Sequence, residues 1–103
     1  MRVIWQTKAK ESRDKIANYI GQHFGNKHKI GFLQQVRETT RMLADHPFAG
    51  QVDSLFADRP MAYRSVIING LSKLVYRIEG EAIHIVAFWD TRQEPESQSA
   101  QIK

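Results

Sequence analysis

Five side chains in the C-terminal half are suited to act on a charged substrate: Arg64, Lys73, Arg77, His84 and Arg92. The metal-free reaction that such a set supports is RNA cleavage. It requires a base to take the ribose 2′-OH proton, an acid to protonate the leaving oxygen, and cations to stabilise the pentavalent phosphate. The four cations supply charge, and a neutral His84 imidazole supplies a base. No matching acid stands out, and a lone histidine in a strand is more often structural. The same residues read equally well as a docking surface for an anionic partner.

Other chemistries find no support. The absence of cysteine removes disulfides, thiolate metal ligands and cysteine nucleophiles. His23, His28, His46 and His84 fall in no metal-ligand spacing, so neither a metal nor a cofactor is expected. No serine sits in a Gly-x-Ser-x-Gly elbow. Asp53, Asp58, Glu79, Glu81 and Asp90 fall at turns and element ends, where solvation accounts for them.

The candidate residues need a scaffold, and the pattern predicts one. Arg2–Gln6 is β-prone through Val3, Ile4 and Trp5. Thr7 is a reasonable N-cap for a helix whose apolar stripe is Ala9, Ile16, Ala17, Ile20 and Phe24, with Tyr19 at its border. Arg13 falls on that stripe, where its stem can cover the core edge. Gly25-Asn26 marks a turn into a second helix, about Lys27 to Asp45, with Ile30, Leu33, Val36, Thr40 and Leu43 on one face. Two helices joined so closely form an antiparallel hairpin. Pro47 ends the second, because the residue before a proline avoids the α region.

Gln51–Pro60 reads as a connector with one further turn around Val52–Phe56. A three-stranded meander follows, about Ala62–Ile68, Leu71–Ile78 and Glu81–Trp89. Asn69-Gly70 between the first two strands is a strong two-residue hairpin signal, and Glu79-Gly80 reads similarly. The N-terminal strand is expected at an edge of the same sheet. The fold class is therefore α+β: an N-terminal strand and an antiparallel helical hairpin packed on a small, mostly antiparallel sheet. Residues 1–92 are expected as one domain, and 93–103 as a polar tail.

Strict alternation along the strands puts Leu74, Tyr76 and Ile78 on one face and Lys73, Val75 and Arg77 on the other. In the last strand it separates Ile83, Ile85, Ala87 and Trp89 from His84, Val86 and Phe88. The more apolar face is assigned to the helices. The other, carrying Arg64, Lys73, Arg77 and His84, is expected to stay partly open.

The chain of 103 residues carries a net charge of +4 with a pI near 9.6. The surplus is concentrated in residues 1–41, which hold nine Lys/Arg against three Asp/Glu. This balance favours anionic partners, although much of it serves to keep the helices soluble. No apolar run approaches the ~20 residues of a membrane span, and the N-terminus is charged too early for a signal peptide. A cytoplasmic protein with no membrane association is the expectation.

In order and spacing, the chain resembles the RelE/ParE toxin superfamily of bacterial type II toxin–antitoxin systems. The resemblance is carried by Val3-Ile4-Trp5, by Ala9, Ile16 and Tyr19-Ile20, and by Leu43 with Pro47 and Gly50. It continues through Tyr63-Arg64, Lys73-Leu74-Val75-Tyr76-Arg77 and Ile83-His84-Ile85-Val86 into Trp89-Asp90-Thr91-Arg92 and Pro95. It implies a toxin that a cognate antitoxin neutralises in a hetero-oligomer, with a role in growth inhibition and plasmid stabilisation. RelE-like members cleave mRNA on the ribosome without a metal. ParE-like members bind DNA gyrase and stall it.

Arg64, Lys73 and Arg92 match three basic nuclease positions, but Val66 stands where a fourth is basic, and no tyrosine follows Arg92. These departures, with the long hairpin and the Trp-Asp-Thr-Arg exit, point to the ParE-like branch. The resemblance therefore implies binding rather than catalysis, through Arg64, Lys73, Arg77, Trp89 and Arg92. An mRNA endoribonuclease, or an inactive module that only pairs with an antitoxin, remains as the alternative.

Overall fold

A computed structural model describes residues 1–90. Arg92, Pro95 and the 93–103 tail lie outside the described residues. The elements run β1 (Arg2–Trp5), α1 (Thr7–Phe24), α2 (Asn26–Asp45), β2 (Gln51–Val52), a 3₁₀ turn (Ser54–Phe56), β3 (Arg64–Ile68), β4 (Ser72–Glu79) and β5 (Ala82–Asp90). The sheet order is β1-β5-β4-β3-β2. β1 lies at one edge and pairs in parallel with β5, while the other pairings are antiparallel. The α+β architecture, with the hairpin on a mostly antiparallel sheet, is as expected.

Local chemistry explains most of the boundaries. Asn69 and Gly70 have φ of 57° and 69°, the pair of positive values a tight β3–β4 hairpin needs and the reason for Asn-Gly there. Thr7 does not cap α1. It is the first helical residue, Gln6 occupies the cap position, and no side chain bonds the free N–H groups there. Arg13 sits on the apolar stripe because its guanidinium lies 4.7 Å from the centre of the Trp5 ring, a cation–π contact that covers the ring's outer side.

The helices bury Ala9, Ala17, Phe32, Val36 and Leu43 against Ile68, Leu74, Tyr76, Ile83, Ile85 and Phe88 of the sheet. Two expected core residues are exposed instead, Phe24 and Ile30. The buried row of α2 passes through Phe32 and Val36, one helical turn apart, rather than through Ile30.

Strict alternation fails in β5. Val75 pairs with Ala87, and the next residue, Tyr76, pairs with Ile85, so Val86 is an extra residue in the ladder. Such a bulge shifts the phase of everything beyond it. Ile83, Ile85 and Phe88 all face the helices, whereas Val86, Ala87 and Trp89 join a second core with Phe56, Tyr63 and Val75. The grouping of Ala87 and Trp89 with Ile83 and Ile85 is therefore corrected. Leu55 and Phe56, in the strap between β2 and β3, cover this second core.

Candidate functional site

The basic residues do not form one open surface. Arg64 pairs with Tyr76, whereas Ser65 and Ile67 lie opposite Val75 and Lys73. Directly opposed residues share a face, so Arg64 is on the helix side of the sheet and Lys73 and Arg77 are on the strap side. This corrects the expected grouping of the three. The alternation within β3 and β4 was right, but the register between the strands decides which faces match.

Lys73 is occupied. Its Nζ lies 2.5 Å from Asp53 Oδ2, with side-chain exposures of 16% and 8%. The ammonium also sits 5.9 Å from the Phe56 ring centre and 5.8 Å from that of Trp89. Asp53 accepts a hydrogen bond from the Leu55 N–H at 3.0 Å and so caps the 3₁₀ turn. Burial pushes the Asp53 carboxyl up, but the Lys73 bond, the Leu55 N–H and the Lys73 charge outweigh it and hold the pKa below its ordinary value. The pair pins the strap to β4. Trp89, opposite Lys73 in β5, is 1% exposed and packs in the second core.

Arg77 and His84 are paired across β4 and β5. They share one carboxylate: Arg77 Nη2 lies 3.0 Å from Glu79 Oε2, and His84 Nε2 lies 3.8 Å from the same oxygen. This cluster brings an imidazole, a carboxylate and a guanidinium together at one end of the sheet. Among the described candidates it is the place where acid–base work on a phosphate has geometric support.

Arg64 serves a different structure. The loop after α2 is clamped by two β-strand side chains. The Tyr76 hydroxyl donates to Pro47 O at 2.7 Å and accepts from the Gly50 N–H at 2.9 Å. Arg64 Nη1 donates to Gly50 O at 2.8 Å, and the guanidinium lies 5.0 Å from the centre of the Phe48 ring. Burial raises the Tyr76 pKa, against the opposing effects of the Gly50 N–H and the Arg64 charge.

Sequence reading missed a groove of roughly 1140 Å³ between the helical hairpin and the β3–β4 turn. Ile16, Ile20 and Phe32 form its apolar floor with Ile68 and Leu71, and Lys15, Lys27 and His28 stand along it. Phe24 is 62% exposed because it faces this groove rather than the core. The rings of Tyr19 and His23 lie beside it, tilted by 33° with their centres 4.1 Å apart. The Asn69 amide donates to Gln35 Oε1, tying the hairpin turn to α2. The available signal was the apolar stripe itself, which is wider than one packed face of α1 requires.

The sequence profile of the ParE toxin of type II toxin–antitoxin system, parDE, matches residues 3–95. This chain belongs to the ParE toxin family. A solved structure titled "Chromosomal ParDE TA system from P. aeruginosa" aligns with a TM-score of 0.69 at 19% identity, covering 87% of this chain and 95% of that one. At that identity the likeness speaks for the fold. Comparison with curated proteins gives no match. Membership in the ParE family implies an antitoxin partner. Among the described residues of this ParE-family chain, no helix is long and apolar enough to cross a membrane.

Proposed function

We propose that this chain is the growth-inhibiting toxin of its pair. It acts by binding DNA gyrase rather than by catalysis, and a cognate antitoxin neutralises it. The observation that carries the binding reading is the state of Lys73. A nuclease would need that ammonium free to meet phosphate, yet it is held by Asp53 beneath the strap. Trp89 is likewise committed to packing. The family match supports gyrase as the target. The apolar groove along the helical hairpin, with lysines at its edge, suits an amphipathic antitoxin segment with acidic flanks.

The Arg77–Glu79–His84 cluster favours a second reading, a ribosome-dependent mRNA endoribonuclease. Inducible expression in bacteria, with and without the adjacent antitoxin, separates the two. Gyrase poisoning predicts filamentation with DNA-damage signalling, reversed by the antitoxin. Rapid loss of translation with codon-position mRNA cuts would replace it with the nuclease reading. Unimpeded growth would remove the toxin assignment.

A further inference from the structure

Phe48 is 68% exposed, the highest value among the large hydrophobic residues of the described chain. A solvated phenylalanine on a mobile loop would carry little meaning, but the backbone on both sides of Phe48 is fixed. Tyr76 holds Pro47 O and Gly50 N, and Arg64 holds Gly50 O. A Cβ added at Gly50 would lie 2.6 Å from Tyr76 Oη and 3.0 Å from Ser65 O, so this close seating leaves no room for a side chain. The ring itself rests beside the Arg64 guanidinium. Val52, 61% exposed, lies directly opposite Arg64 on the same face. Two exposed apolar side chains thus flank one arginine on a framework that is already ordered.

We propose that Phe48, Arg64 and Val52 form the anchor with which the chain grips its target protein. The matching surface is an apolar pocket bordered by carboxylates. The apolar side chains fill the pocket, and Arg64 has N–H donors beyond its bond to Gly50 O to offer a carboxylate. The positive net charge favours approach to an acidic surface. Because the loop is pre-ordered, docking does not have to pay for its ordering. The anchor is separate from the groove: Gln35 is the last α2 residue lining the groove, and α2 rises roughly 15 Å from there to Asp45, where the Phe48 loop begins. Target and antitoxin therefore meet different surfaces. The inference rests on the proposed toxin activity.

The test is growth arrest at matched expression levels for the wild type, Phe48→Ala and Val52→Asp, with Ile30→Ala as the control, an exposed apolar residue that lines neither the groove nor the loop. Antitoxin rescue and thermal melting are measured for each. Phe48→Ala should raise the intracellular level needed to halve growth about tenfold or more, the loss expected of a hot-spot side chain. Val52→Asp should do the same by placing a carboxylate against the target's own. Both should melt like the wild type and stay bound by the antitoxin, while Ile30→Ala keeps full toxicity.

Wild-type toxicity in both anchor variants overturns the inference but leaves the toxin reading standing. Retained toxicity with lost rescue would assign the anchor to the antitoxin instead. Arrest of the wild type by codon-position mRNA cuts would overturn the protein-target claim. A wild type without effect on growth ends the toxin reading and the inference with it.

Discussion

Tyr76 and Gly50 are fitted to each other: the phenol oxygen accepts the Gly50 N–H at 2.9 Å in the space where a side chain at position 50 would stand. Through this contact a strand in the middle of the sheet sets the shape of the loop that ends α2. Tyr76→Phe would leave both Gly50 N–H and Pro47 O without their partner, at a cost of about 2–3 kcal/mol. Gly50→Ala would push Tyr76 aside and crowd Ser65 O, with a loss of about 1–3 kcal/mol. Urea unfolding of the two variants and their double mutant should show sub-additive losses, since either change breaks the same contact.

The Tyr76 hydroxyl also predicts alkaline behaviour. Its folded pKa lies above the ordinary value of 10.0. The unfolded chain therefore releases the proton first as pH rises. The stability contributed by the neutral phenol is complete below pH 10.0 and is lost as pH climbs through the folded value. Tyr76→Phe should flatten this part of the stability profile between pH 9 and 12 (about three units around a tyrosine's ordinary range). An unchanged slope in the variant would count against the buried hydrogen-bonded phenol.

Asp53 predicts the acid side. Its folded pKa is held below 3.8, so its contribution is present above that pH and disappears as pH falls through the folded value. The urea midpoint of the wild type should therefore fall below pH 3.8 more steeply than that of Asp53→Asn. At neutral pH, Lys73→Met should cost about 1–3 kcal/mol, because it leaves a mostly buried carboxylate without its partner. Equal acid slopes for wild type and Asp53→Asn would show that the strap is not pinned by this pair.

Arg77→Ala and His84→Ala discriminate between the two readings of activity. If toxicity is binding through the Phe48 loop, both variants should arrest growth like the wild type once folding is matched. If their shared Glu79 cluster is a nuclease centre, each should lose activity by about 10²-fold or more. Arg64→Lys should weaken toxicity even where charge is preserved, because lysine cannot hold Gly50 O and still present a planar fork.

Much of the fold was legible in the residues, and particular reasons explain the rest. Asn69-Gly70 specified its turn by conformational chemistry alone, and the helical hairpin followed from the Ala9–Ala17–Ile20 and Val36–Leu43 periodicities. The bulge at Val86 was not legible, because Ile85 to Trp89 contains no polar residue to reveal a change of phase. β2 is two residues long, too short for any period to show. Lys73 looked free because its partner, Asp53, lies on another element, and only the folded strap brings them together. The placement of Arg64 depended on its register against Tyr76, which alternation within one strand cannot supply. The groove was half legible: Phe24 and Tyr19 were visible as apolar residues, but their exposure follows from how α1 rolls on the sheet.

The central claim, inhibition by binding, is tested most directly with purified components. DNA supercoiling by bacterial gyrase is measured as the purified chain is added, alongside translation of a reporter mRNA on purified ribosomes. The account predicts dose-dependent loss of supercoiling with accumulation of gyrase-cleaved DNA, intact mRNA, and recovery when antitoxin is added. Undisturbed supercoiling together with mRNA cut at codon positions would contradict it.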